Sequence, residues 1–172
     1  MGFLEHREAL RTMRIDAREN TMRGSWRRGI HLDSDDFYTK CISSEEPQQS
    51  EMGEILVFFG CRGESDFLFK DRLLEFQQSG VLSSLSVAMS RTQADKVYVT
   101  HKIREEGARL VDLLKNRNAS IFICGDGNSM AKDVQTAFKS ILAEHGDWSD
   151  VGADECIKSL KDEGRLVLDV WS

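Results

Sequence analysis

The chain has 172 residues, 40% hydrophobic and 30% charged, a balance that fits one globular domain and argues against a disordered chain. Its net charge of −6 argues against general affinity for nucleic acid or anionic lipid. No apolar run approaches the ~20 residues of a membrane span and the first residues lack a signal-peptide pattern, so a cytoplasmic setting is expected.

Residues 3–18 predict a helix, with Phe3, Leu10, Met13 and Ala17 as an imperfect apolar stripe. The pattern then dissolves. The first 28 residues carry seven Arg against four acids, whereas residues 33–54 carry seven acids against one Lys. The single proline, Pro47, also falls in this part. Residues 19–53 therefore read as an irregular insertion or linker, with a partner-docking arm as the functional rival.

From residue 54 the chain becomes regular. Ile55 to Phe59 is a continuous apolar run, as expected for a strand covered on both faces. Ser65 is placed to cap a helix to about Ser79, burying Leu68, Phe69, Leu73 and Phe76, with Gly80 as its stop. Leu82 to Met89 reads as a strand, and Ile103, Gly107, Leu110, Val111 and Leu114 predict a helix over 101–116. Ile121 to Ile123 is a strand. Asn128 is placed to cap the next helix, whose stripe is Met130, Val134, Ala137, Phe138 and Ile141 and whose stop is Gly146. A helix around Val151 to Asp162 precedes a last, buried-looking strand from Arg165 to Trp171. Strands alternating with helices define an α/β fold with a doubly wound parallel sheet.

Four widely spaced cysteines and four histidines show no metal-ligand or disulfide pattern. Three other groupings carry chemistry. Ser90 and Arg91 end a strand and are followed by Lys96, Tyr98 and Thr100, a phosphate-sized cationic cluster beside an aromatic ring. An Arg in this region suits the 2′-phosphate of NADP; its bland rival is a solvated basic loop. Cys124-Gly125-Asp126-Gly127 joins a strand to a helix and lets a backbone approach closely. Cys124 alone reads as a small buried hydrophobe rather than a reactive group, and Asp133 as a first-turn acid favoured by the helix dipole. Asp169 and Trp171 alternate along the last strand and share a face; the rival reading buries Trp171 as core.

Together these blocks resemble the NADP(H)-binding lobe of the diflavin reductases, the family of NADPH–haemoprotein reductase and methionine synthase reductase. The matching blocks are Gly2 to Glu8, Phe58-Phe59-Gly60-Cys61-Arg62, Ser90-Arg91 with Lys96-Val97-Tyr98-Val99, Cys124-Gly125-Asp126 through Val134, and Leu168 to Ser172. Gly2 to Glu8 and Met130 to Val134 look most like methionine synthase reductase, the nearer resemblance of the two; Lys96 to Val99 looks more like the haemoprotein reductase, the alternative. The resemblance implies a Rossmann-like lobe of ferredoxin–NADP reductase type over 54–172. It implies that Ser90, Arg91, Lys96 and Tyr98 hold the adenosine end of NADPH, with Asp133 nearby. Thr100 stands where the haemoprotein reductases have Gln. Cys124 and Asp169 would flank the nicotinamide, and Trp171 would stack on the flavin ring. A carboxylate there stabilises the positive charge that develops as hydride leaves.

The family's FAD and FMN modules, its pyrophosphate loop and its central strand have no counterpart in this sequence. The expectation is therefore an NADPH-to-FAD hydride-transfer module that is inactive alone. Its partners would be the flavin-binding modules of a parent protein and a downstream acceptor such as methionine synthase or a haem protein. The rival reading is a non-catalytic nucleotide-binding or interaction fragment.

Overall fold

The computed structural model describes the backbone of residues 11–16 and, with side chains, residues 53–171. Five strands form one sheet in the order β3-β2-β1-β4-β5. They are β1 (Arg11–Asp16), β2 (Ile55–Cys61), β3 (Ser84–Met89), β4 (Ser120–Asp126) and β5 (Leu166–Trp171). Among the described residues they are accompanied by a 3-10 turn at Glu64–Asp66 and five helices: α1 (Lys70–Gln78), α2 (Val99–Glu105), α3 (Gly107–Asn116), α4 (Met130–His145) and α5 (Asp150–Asp162).

The strands β2 and β3 are parallel, as are β4 and β5. The α/β fold class with a parallel, Rossmann-like arrangement holds. The chain steps outward from β2 to β3 on one side and from β4 to β5 on the other. That reversal creates a switch point at the carboxyl ends of β2 and β4, where ligands bind in such sheets.

The centre of the sheet differs from expectation. Residues 11–16, read as part of a helix over 3–18, form β1, which runs antiparallel to both β2 and β4. Met13 pairs with Phe58 on one side and Ile123 on the other. Two facing rows of backbone donors and acceptors outweigh a weak helical stripe, because each buried unpaired group costs ~1–3 kcal/mol. The rest of that predicted helix and the 19–52 part of the predicted insertion lie outside the described residues.

Elsewhere the apolar pattern and the observed burial agree closely. Leu56 to Phe59 are buried in β2, and β4 alternates, with Ile121 and Ile123 inside. The helix α4 packs against α2, α3 and α5 and buries Val134, Ala137, Phe138, Ile141 and Leu142. Arg165 ties three segments together: its guanidinium donates to the carbonyl oxygens of Leu114 (2.8 Å) and Ala119 (2.9 Å) just before β5 begins.

Four local corrections follow. The helix expected from Ser65 begins at Lys70, after Phe69 in the left-handed region (φ 57), and none of its residues is buried. Phe67, in the preceding turn, is buried instead and packs on Phe59 at 5.0 Å between ring centres. The helix predicted over 101–116 is two helices, α2 and α3, meeting at Glu106. Asp126 caps the entry to α4 in place of Asn128, accepting hydrogen bonds from the backbone N–H of Asn128 and Ser129. The last strand is an edge strand, paired only with β4 among the described residues, so Val167 to Val170 are exposed. Gly80, at φ 79, is the α1 stop that the sequence indicated.

Among the described residues no helix is long and apolar enough to cross a membrane. Phe138→Ala, at a site with no exposed surface, should destabilise the fold by about 3–5 kcal/mol in denaturant unfolding. Val151→Ala, at a residue 68% exposed, should change stability by less than about 0.5 kcal/mol.

Candidate nucleotide-binding site

The sheet positions two groups of side chains at the carboxyl ends of its parallel strands. The first surrounds a cleft of about 630 Å³, bounded by the ends of β2 and β3, the start of α2 and the first turns of α4. That volume lies within the range of small-molecule sites. Ser90, Tyr98, Thr100 and Asp133 all line it. The loop after β3 is held to the end of β2: the Ser90 N–H donates to the Cys61 carbonyl at 2.9 Å, and the Arg91 N–H to the Arg62 carbonyl at 2.8 Å.

Tyr98 is 44% exposed, so its ring is open to a ligand. Its N–H donates to His101 Nδ1 at 3.0 Å, and the two rings stack with centres 5.9 Å apart. The Arg91 and Lys96 side chains are exposed, do not line the cleft, and make no ion pair among the described residues. Each is adjacent in sequence to a lining residue, Arg91 to Ser90 and Lys96 to Val97. They stand as cations at its edge.

The second group lies at the ends of β4 and β5. Cys124 and Asp169 are register partners, and the thiol faces the carboxylate with Sγ 3.9 Å from Oδ2. Burial first, then the Asp169 charge and their hydrogen bond, push the Cys124 thiol up to about 11. It is therefore a protonated thiol near neutral pH and not a nucleophilic thiolate. Trp171 is the register partner of Asp126, and its carbonyl accepts from the Gly127 N–H at 2.9 Å. Space at Gly127 is tight: a Cβ would lie 3.0 Å from Val170 Cγ2. Cys124, Asp169 and Trp171 do not line the cleft.

Asp126 organises the turn between the groups. The Ser129 hydroxyl, then the backbone N–H of Asn128, hold its carboxyl down at about 2. Residues that the sequence reading did not assign to a site also line the cleft, notably Arg62, Cys61 and Met130. Arg62 had a usable signal: it directly follows an apolar strand, at the edge where parallel sheets place their ligands.

The arrangement is a cleft of small-molecule size with cations at one edge and a thiol–carboxylate pair two strands away. A sequence family described as the oxidoreductase NAD-binding domain matches residues 36–136. The chain belongs to that family. The match starts inside the stretch read as an insertion, upstream of the lobe boundary expected at residue 54. NADPH–cytochrome P450 reductase of Rattus norvegicus is 43% identical over 126 residues, covering 73% of this chain and 19% of the reductase. The Oryctolagus cuniculus reductase is 44% identical over the same length, and that of Dictyostelium discoideum 40% identical over 123 residues. The chain thus spans about a fifth of the length of these curated relatives. It is the NADP-binding lobe of a diflavin reductase, as the sequence blocks implied.

Site-resolved alkylation should find Cys124 slow to react until pH approaches about 11. Asp169→Asn removes a negative neighbour, so the thiol should ionise at lower pH and react faster. Equal rates in the two proteins would show that the pair is not coupled. In an NMR acid titration Asp126 should keep its charge down to about pH 2, and the stability it adds to the turn should be lost as pH falls from its ordinary 3.8 toward that value.

Proposed function

We propose that the chain binds NADPH across the carboxyl edge of its sheet and positions the nicotinamide for hydride transfer to FAD held by residues outside this chain. The observation carrying this reading is the pairing of a cleft of small-molecule size with the Cys124–Asp169 contact at 3.9 Å. Arg91 and Lys96, unpaired among the described residues, match a phosphate monoester in charge, and Ser90 supplies a hydroxyl donor. Tyr98 lies against the adenine, with Thr100 and Asp133 on the cleft wall beside it.

Cys124 and Asp169 flank the nicotinamide. The protonated thiol leaves Asp169 as the charged member of the pair, and a fixed carboxylate stabilises the cationic ring more in the transition state than before it. FAD, when bound, supplies the acceptor for the hydride. Trp171 covers the flavin face until the nicotinamide takes its place. FMN and a further module complete the parent protein.

For the terminal acceptor we favour a haem protein, because the relatives compared are cytochrome P450 reductases. Methionine synthase is the second reading, favoured by the Gly2 to Glu8 and Met130 to Val134 blocks. Reconstitution with each acceptor distinguishes them.

Calorimetry should show 2′,5′-ADP binding more tightly than 5′-AMP. Arg91→Ala and Lys96→Ala should each remove about 1.5–3 kcal/mol of that preference, the usual range for a hydrogen bond to a charged group. Equal affinity for the two nucleotides would overturn the 2′-phosphate site. In a chimera carrying this chain in place of the rat reductase lobe, Cys124→Ala and Asp169→Asn should slow flavin reduction without changing nucleotide affinity. Unaltered reduction in both variants would remove their catalytic role.

A further inference from the structure

A second concavity lies between the paired helices α4 and α5, with a lining distinct from that of the cleft. It holds about 320 Å³ and is walled by Lys132 and Lys139 from α4 and by Asp154, Lys158 and Lys161 from α5. The spacing on each helix explains the convergence. Lys132 and Lys139 are seven residues apart, and Asp154, Lys158 and Lys161 follow an i, i+4, i+7 pattern, so each set occupies one face. Packing of α4 on α5 turns the two faces toward one groove.

Four ammonium groups and one carboxylate meet there, on a chain whose net charge is −6. Lys139 pairs with Asp154. Lys132, Lys158 and Lys161 make no ion pair among the described residues. Lys132 also stands in the first turn of α4, where the helix dipole disfavours a cation. Lys161, in the last turn of α5, and Lys158, four residues after Asp154, are favoured locally, so Lys132 is the member that local helix energetics do not explain.

We propose that this groove is a docking site for a short acidic peptide segment of a partner protein. Along α4 the lysines span roughly 10 Å at 1.5 Å per residue, the reach of about three residues of extended peptide. Two or three carboxylates on such a segment can meet cations on both walls at once. Ile157 lines the groove but is only 3% exposed, so the apolar contact available there comes from the lysine stems. Cations spread over both walls suit several linked carboxylates better than a lone inorganic anion. A nucleic-acid duplex fits less well, because Asp150, Glu155, Asp162 and Glu163 on or beside α5 repel a long polyanion. A short segment samples the local field only, within a Debye length of about 8 Å at physiological ionic strength.

The test is fluorescence anisotropy with a labelled Glu-rich peptide containing one Leu, added to the full chain. Expected is saturable binding that weakens as salt is raised. The charge-reversed variant Lys132→Glu, Lys158→Glu, Lys161→Glu should lose at least about tenfold in affinity. All three side chains are exposed, so its circular dichroism and melting curve should match the parent. The variant Lys132→Gln, Lys158→Gln, Lys161→Gln should fall between the two. Absence of binding, or equal binding by the charge-reversed variant, would overturn the proposal. So would displacement of the peptide by inorganic phosphate at comparable concentration, which marks a free-anion site, or equally tight binding of a duplex oligonucleotide. Peptide binding that appears only after residues 33–52 are deleted would also overturn it, in favour of the chain's own acidic stretch. Binding of 2′,5′-ADP should be the same in every variant, which separates this result from that of the nucleotide site.

Discussion

Backbone pairing at the centre of the sheet is the constraint on which the rest of this molecule depends. The parallel strands β2 and β4 send their chains outward in opposite directions, and neither hydrogen-bonds the other. Between them β1 satisfies a row of donors and acceptors on each side. Adjacent strands lie about 4.8 Å apart, so this one strand holds β2 and β4 roughly 10 Å from each other. That separation sets the span between the cleft beside β2 and the Cys124–Asp169 pair on β4 and β5. A dinucleotide has two ends to place, and the width of one intervening strand fixes how far apart they can be.

Helix α4 turns that framework into a site. Its inner face, centred on Phe138 and Ile141, has no exposed surface and locks the helix to the core. Its first turns present Met130 and Asp133 to the cleft. Its amino end is fastened twice: Asp126 accepts hydrogen bonds from the turn, and the Gly127 N–H donates to the last described residue of β5. A displacement of α4 would therefore disturb the cleft and the end of β5 together. Its outward face carries Lys132 and Lys139, which have no part in the core. Three faces of one helix serve packing, the cleft wall and the solvent-facing groove.

The thiol–carboxylate pair illustrates how placement decides chemistry. Partial burial and the neighbouring Asp169 both favour the protonated thiol. Proximity thus suppresses thiolate chemistry at Cys124. Such a pair is suited to stabilising a transient cation beside it. It is poorly suited to covalent catalysis.

The sequence by itself determined the α/β alternation, because apolar runs and amphipathic stripes report burial directly. It also determined the family, through ordered blocks, and named Ser90, Tyr98, Thr100 and Asp133 ahead of the cleft that they line. Only the tertiary structure decided what depends on distant partners. Residues 11–16 have a weak helical pattern and become a strand because two open ladders lie beside them. Leu73 and Phe76 have the spacing of a buried stripe, yet α1 lies where little covers it. The last strand reads as interior from its apolar side chains, but an edge position leaves Val167 to Val170 exposed. The four groove lysines gain meaning only when helices separate in sequence come together. Local pattern records what a segment can bury; pairing and packing across the fold decide what it does bury.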